Sequence, residues 1–123
     1  MNILLIEDDR STMKAVKFAL NQKGHKVVLA SNEANAFKQL KENEVDMIVS
    51  DVNLPASAPI TDLVWKLKSE YKHLPIVLIS SILDNPLIDE SLIQGADAFI
   101  PKPIDFELLT TVVERLDPHA SVK

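Results

Sequence analysis

Two short acidic stretches of the sequence could act together in chemistry. Glu7 and Asp8 follow the apolar run ILLI, and Asp51 follows the apolar run MIVS. Carboxylates that lie close together repel one another unless a cation compensates their charge. Mg²⁺ is the natural cation because it takes oxygen ligands and often pairs with phosphate. Since a carboxylate can also accept a phosphoryl group as a nucleophile, the pattern predicts a phosphoryl-transfer site.

A hydroxyl and an ammonium group follow two further apolar runs and could join the carboxylates. Ser80 ends the run IVLIS, and Lys102 stands between Pro101 and Pro103, which restrict the direction of the backbone. Phosphoryl transfer requires charge compensation on the phosphoryl oxygens and a positioned nucleophile. We therefore expect Asp51, Ser80 and Lys102 to carry the chemistry.

The elements that must position these side chains alternate along the chain. Short β-type runs are separated by longer segments of helical period, which is the pattern of βαβ units and a parallel sheet. The sequence thus predicts an α/β fold, a doubly wound parallel sheet of five strands with five helices. In such a sheet, ligands bind outside the carboxyl ends of the strands, where the candidate residues stand. The predicted strands cover residues 2–6, 26–30, 47–50, 76–80 and 98–100.

The predicted helices carry their own boundary signals. The first runs from Arg10 to Lys23, with Asp9 as its N-cap and Gly24 in the left-handed position that ends it. The others are expected near residues 33–43 and 61–71, after Pro86 as far as Gly95, and after Pro103. Apolar stripes predict that the first helix buries Thr12, Ala15, Val16, Ala19 and Leu20, and that the last buries Phe106, Leu109, Val113 and Leu116.

The composition fits one soluble globular domain. We expect a domain over residues 1–117 and a C-terminal tail over residues 118–123. The formal net charge of -5 disfavours nucleic acid, so proteins are the expected partners. Without cysteines, and with three histidines that lack zinc spacing, any metal must be held by oxygen. No apolar run has the length of a membrane span, and a cytoplasmic location is the default expectation.

The pattern ILLIEDD…SDVNLP…PIVLISS…GADAFIPKP resembles the receiver domain of two-component response regulators. The likeness covers nearly the entire chain, with five separated positions in the family's order after the predicted strands. It implies the flavodoxin-like strand order 2-1-3-4-5 and Asp51 as the phosphoacceptor. The donor would be phosphohistidine on a histidine kinase or phosphotransfer domain. Such a domain is not an enzyme for an external metabolite, since it catalyses only its own phosphorylation and dephosphorylation.

The resemblance also implies roles for other residues. The ligands that it implies for Mg²⁺ are Glu7, Asp8, Asp51 and the backbone carbonyl of Asn53. Ser80 would contact a phosphoryl oxygen, and Phe99 would occupy the aromatic switch position. The Lys102-Pro103 peptide bond would be cis.

Two apolar surfaces fit the protein partners of such a domain. Phe18 lies opposite the core stripe of the first helix, on the face where receivers dock the phosphodonor, although an exposed aromatic can also be without function. A second apolar face lies on the fourth and fifth predicted helices and fits the binding of a downstream target or of a second copy of the chain in a homodimer. Its members are Leu87, Ile93, Leu108 and Val112. Alternatively, these residues belong to the core, and the buried faces of the two helices are broader than the stripes predict.

Three other functions are compatible with parts of the pattern. A pseudo-receiver that signals without phosphate fits the short loop PASAPIT, which lacks a glycine usual in the family, and the apolar Ile82 at a usually polar position. A phosphatase with an aspartyl nucleophile would carry a second aspartate where Asn53 stands. A flavodoxin-like cofactor binder would carry a phosphate-cradling loop in place of the acids after the first strand. The pseudo-receiver is therefore the main alternative.

Overall fold

The computed structural model describes residues 1–52, 54, 60–80 and 95–118. Strands and helices alternate through these residues, as the sequence predicts. The strands are β1 Asn2–Ile6, β2 Lys26–Ala30, β3 Met47–Asp51, β4 Ile76–Ser80 and β5 Ala98–Pro101. The helices are α1 Arg10–Gln22, α2 Glu33–Glu42, α3 Ile60–Glu70 and α4 Phe106–Arg115.

The five strands form one parallel sheet in the order β2-β1-β3-β4-β5, which confirms the predicted strand order. The described residues contain four helices, and α4 is the fifth of the predicted ones. The predicted fourth helix falls within residues 81–94, outside the described residues. The prediction of five helices is thus supported for four of them.

Two apolar layers cover the two faces of the sheet. Successive residues of a strand point to opposite faces, so in β3 Ile48 packs into one layer and Val49 into the other. Helices α2 and α3 complete the first layer, and α1 and α4 complete the second. Every residue of β3 and β4 is buried, which fixes the positions of Asp51 and Ser80 at the ends of rigid central strands.

The predicted ends of α1 are confirmed. The backbone N–H of Thr12 donates to Asp9 Oδ2 at 2.8 Å, so Asp9 is the N-cap. Gly24 has a φ of 86°, the left-handed conformation that favours glycine after a helix. Among the described residues, no helix is both long enough and apolar enough to cross a membrane.

The predicted buried stripes of two helices are partly wrong. Ala15 is exposed, and the buried residues of α1 are Val16 and Leu20. Phe106 is 38% exposed because it directly follows the N-cap Asp105 at the rim of the sheet, beyond the layer formed by α1 and α4. The buried residues of α4 are Leu109, Thr110 and Val113.

Candidate functional site

The carboxylates singled out in the sequence converge at the carboxyl ends of β1 and β3. Glu7 and Asp8 directly follow β1, and Asp51 is itself the last residue of β3 rather than the residue after it. These strands are neighbours in the sheet, with Ile6 opposite Ser50. One carboxylate oxygen from each of Glu7, Asp8 and Asp51 lies within 4.8 Å of the others.

The three carboxylates differ in their exposure to solvent. Glu7 and Asp51 are buried, with 1% and 4% of their surface exposed, whereas Asp8 is exposed. The backbone N–H of Asp9 donates to Glu7 Oε1 at 3.0 Å. Burial raises the pKa of Glu7 to about 7, and the neighbouring Asp51 contributes to the rise. Glu7 Oε2 is buried and has no hydrogen-bond partner among the described residues.

Lys102 provides a positive charge beside this cluster. Its Nζ lies 3.2 Å from Asp51 Oδ2 and 4.0 Å from Glu7 Oε2. Its backbone N–H donates to the carbonyl of Ser80 at 2.7 Å, which ties the loop after β5 to the end of β4. The Lys102-Pro103 peptide bond is cis, as the resemblance implied.

The residues present fit a hard divalent cation such as Mg²⁺. All three side chains offer oxygen, which Mg²⁺ prefers, and one ammonium group cannot balance three carboxylates. The buried Glu7 Oε2 without a partner is the kind of atom that a bound cation would satisfy. Glu7, Asp8 and Asp51 would hold the ion; Asn53, the further predicted ligand, lies outside the described residues.

Ser80 and Phe99 lie near this rim on neighbouring strands. Ser80 is fully buried at the end of β4, opposite Pro101 of β5. Phe99 is opposite Leu78 and packs, partly buried, against the layer formed by α2 and α3. Because side chains alternate along a strand, Ser80, Leu78 and Phe99 lie on the same face of the sheet.

The predicted partner surfaces are described only in part. Phe18 is 65% exposed and Leu108 is 40% exposed, while Val112 packs partly buried against the layer formed by α1 and α4. Leu87 and Ile93 lie outside the described residues.

Sequence reasoning missed an apolar groove beside Lys102. Its volume is ≈ 270 Å³, and Ile104 and Phe106 line it together with the exposed side of α1. The sequence did contain a signal for this groove. Phe106 directly follows the N-cap Asp105, and the first turn of a helix in this fold lies at the carboxyl rim of the sheet, so Phe106 could have been expected at that rim rather than in the core. The groove places apolar side chains directly beside Lys102.

Comparison with known proteins agrees with this arrangement of strands and acids. The model of the response regulator receiver domain family matches residues 3–114. The chain belongs to this family. The resemblance stated from the sequence is therefore confirmed, and receiver domains are signalling modules that receive a phosphoryl group on aspartate.

Individual relatives cover the chain to similar extents. The transcriptional regulatory protein AfsQ1 of Streptomyces coelicolor is 32% identical over 108 residues, which are 88% of this chain and 47% of that protein. The chain thus spans about half the length of this relative. A two-component response regulator from Clostridium difficile has a similar structure, with a TM-score of 0.88 at 27% identity over 94% of each chain. The chemotaxis protein CheY4 of Vibrio cholerae has a TM-score of 0.85 at 26% identity, over 94% of this chain and 97% of its own.

Proposed function

We propose that this receiver accepts a phosphoryl group from phosphohistidine on Asp51, with Mg²⁺ held by Glu7, Asp8, Asp51 and Asn53. The donor is the phosphohistidine of a histidine kinase or histidine phosphotransfer domain. The observation that carries the proposal is the convergence of three carboxylates with the Lys102 ammonium, 3.2 Å from Asp51 Oδ2.

In the proposed reaction a carboxylate oxygen of Asp51 attacks the phosphorus atom of phosphohistidine. The P–N bond breaks, the imidazole leaves with the electron pair, and an aspartyl phosphate forms. Lys102 lies where it can compensate the negative charge on the phosphoryl oxygens. When bound, Mg²⁺ supplies further compensation of the same charge. The burial of Asp51 keeps most bulk water away from the nucleophile.

The phosphorylated site is proposed to act on a protein-interaction surface. The phosphoryl group draws Ser80 and Lys102 toward itself, and Phe99 turns into the space that Ser80 leaves. Phe99 lies on the same face of the sheet as Ser80, which supports the proposal that it moves into the space that Ser80 leaves. The result is a shift between two packings of the face that includes Leu108 and Val112, with Leu87 and Ile93 as its further predicted members. A downstream target protein or a second copy binds there.

The phosphodonor domain is proposed to dock beside Lys102. Phe18 on α1 is 65% exposed, and the groove lined by Ile104 and Phe106 lies between α1 and the start of α4. An exposed aromatic next to an apolar groove suits a protein surface that must bring a histidine to a buried aspartate.

Intact-mass measurement tests the reaction. The protein is incubated with phosphoramidate, a small donor with a P–N bond, with Mg²⁺ or with EDTA. We expect a gain of one phosphoryl group that requires Mg²⁺ and is absent in Asp51→Asn. Asp62→Asn, which changes an exposed carboxylate on α3, is the matched control and should react like the wild type. If the folded wild-type protein binds Mg²⁺ but gains no phosphoryl group from either phosphoramidate or a phosphohistidine domain, the pseudo-receiver replaces this proposal.

A further inference from the structure

Helix α1 presents a stripe of positive charge to solvent. Arg10, Lys14 and Lys17 are all exposed, and their spacing of four and three residues places them on one side of the helix. None of these three side chains, the basic stripe, forms an ion pair with another described residue. Their charge is therefore not neutralised by the described part of the chain.

The basic stripe belongs to a segment whose charge is opposite to that of the whole chain. Residues 10–26 contain five Lys and Arg residues and no Asp or Glu residue. The rest of the chain contains eight Lys and Arg residues against eighteen Asp and Glu residues, and the formal net charge of the whole is -5. Charge segregated in this way gives the exposed side of α1 a positive potential of its own, which attracts an acidic surface.

The basic stripe borders the apolar surface on which the phosphodonor domain is proposed to dock. Phe18 follows Lys14 by four residues, so the two side chains are neighbours on the surface of α1. Ser11 and Ala15, on the other side of Phe18, line the groove beside Lys102. Apolar side chains with a charged border are the usual arrangement of a protein interface.

The chemistry of the proposed transfer gives this positive charge a use. A donor that brings phosphohistidine to Asp51 approaches three carboxylates, and the phosphoryl group that it carries is itself negative. Attraction between α1 and an acidic patch on the donor offsets this repulsion while the two proteins come together. A donor with a basic patch at the same place would be repelled by α1.

We infer that Arg10, Lys14 and Lys17 select phosphodonor domains whose docking face carries Asp and Glu side chains beside the phosphohistidine. The inference rests on the proposed function, because it concerns the donor of the same phosphoryl group. An anionic lipid surface fits the basic stripe less well, because a broad surface that meets α1 also meets the exposed Asp8 and Asp9 in front of it. A folded domain presents its acids to α1 alone.

A matched pair of donors tests this selection. One histidine phosphotransfer domain is prepared in two forms, with either Asp and Glu or Lys at the exposed positions around its histidine. Each rate of transfer to the full chain is normalised to the phosphohistidine content of the donor. At low ionic strength we expect the acidic form to react at least about tenfold faster than the basic form, and the preference to shrink as NaCl is added. Equal rates, or a faster reaction with the basic form, would overturn the inference.

Charge reversal shows whether the basic stripe is the source of the preference. We expect the double change Lys14→Glu and Lys17→Glu to invert it, so that the basic donor becomes the faster one. The double change Lys41→Glu and Lys72→Glu alters the net charge equally at exposed positions near the amino ends of β3 and β4, and it should keep the wild-type preference. An acidic-donor preference that survives reversal of Lys14 and Lys17 would overturn the inference.

The small donor phosphoramidate separates this inference from the proposed function. If neither phosphoramidate nor either form of the domain phosphorylates Asp51, the proposed function fails and the inference fails with it. If phosphoramidate phosphorylates Asp51 but the wild type prefers neither form, the inference alone is overturned. Sedimentation with phosphatidylserine vesicles that reversal of Lys14 and Lys17 abolishes, without a preference between the donors, would assign the basic stripe to a lipid surface instead.

Discussion

At Glu7 the fold buries a carboxylate oxygen that has no hydrogen-bond partner among the described residues. Two further carboxylates lie beside it, and the ammonium of Lys102 is 4.0 Å away. Without a metal, such a group costs free energy because burial and neighbouring negative charge both disfavour its ionised form. A bound cation would remove this cost, so the buried carboxylate supports the metal site proposed above.

Glu7→Gln should therefore have opposite effects without and with Mg²⁺. In EDTA at neutral pH, we expect the free energy of unfolding to rise by about 1 kcal/mol, because the amide carries no charge to bury. With Mg²⁺ the wild type should gain more stability than the variant, since its native state binds the ion more tightly. Urea unfolding in both solutions measures the two effects. If Glu7→Gln changes the free energy of unfolding by the same amount in EDTA and in Mg²⁺, the assignment of Glu7 as a metal ligand is contradicted.

His25 links protein stability to pH at the other end of the molecule. Burial lowers the pKa of His25, and the positive charge of the Met1 amino group lowers it further. The negative charges of Glu114 and Asp117 act in the opposite direction but are smaller influences. Its Nδ1 lies 3.2 Å from the Met1 nitrogen. The unfolded chain takes up this proton at a higher pH than the native protein does. The contribution of His25 to stability is thus complete above the ordinary pKa of 6.5 and is lost as the pH falls through the lower native value.

We expect His25→Gln to make the free energy of unfolding less dependent on pH below 6.5. Urea unfolding at a series of pH values gives the slope for the variant and for the wild type. Because all carboxylates are common to both proteins, the difference between the slopes isolates the histidine. Identical slopes would show that the native and unfolded states hold the His25 proton equally.

Among the elements, the strands were predicted from the sequence to within one residue. Their apolar, β-branched runs are buried by helices on both faces, so burial is visible directly in the sequence. Asp51 was placed outside β3 because a polar side chain signals the end of an apolar run. The backbone pairing of Asp51 with Ile79 of β4 continues regardless of that side chain.

Side-chain environments at the site could not be read from the sequence in the same way. The order of strands and the acidic residues after them indicate which groups meet. The missing partner of Glu7 Oε2 and the groove beside Lys102 depend on packing between distant segments. Helical periodicity placed Phe106 in the core, since periodicity does not show where the sheet beneath the helix ends.

The proposed docking of a histidine domain against Phe18 of α1 and Phe106 of α4 predicts a selective loss. We expect the double change Phe18→Ala and Phe106→Ala to slow phosphorylation by a phosphohistidine domain at least tenfold, about 1.4 kcal/mol. The rate with phosphoramidate should stay the same, because the small donor needs no docking surface. Trp65→Ala removes an aromatic that is 59% exposed on α3 and serves as the matched control. Equal losses with both donors would place these residues in the chemistry or the fold instead.

For the whole molecule, the two apolar layers are coupled through the central strands that they share. Leu78 packs into one layer and Ile79 into the other, although they are adjacent in β4. Loss of packing on either face therefore weakens the same strand. The described fold should unfold as one cooperative unit.

We expect Leu78→Ala and Ile79→Ala each to lower the free energy of unfolding by about 2–5 kcal/mol, with the denaturant dependence unchanged. Circular dichroism reports the sheet and helices, and the fluorescence of Trp65 reports the side of α3. Coincident urea transitions from both probes are predicted for both variants. Separate transitions in either variant would contradict a single cooperative unit.

The most direct measurement on the central claim is the location of the phosphoryl group. After incubation with phosphoramidate and Mg²⁺, borohydride reduces an aspartyl phosphate to homoserine, and mass spectrometry of the tryptic peptides identifies the altered residue. We predict homoserine at position 51 alone, in the peptide of residues 42–66. Homoserine at position 8 or 9, or a phosphoryl group on any other residue, would contradict the assignment of Asp51 as the acceptor.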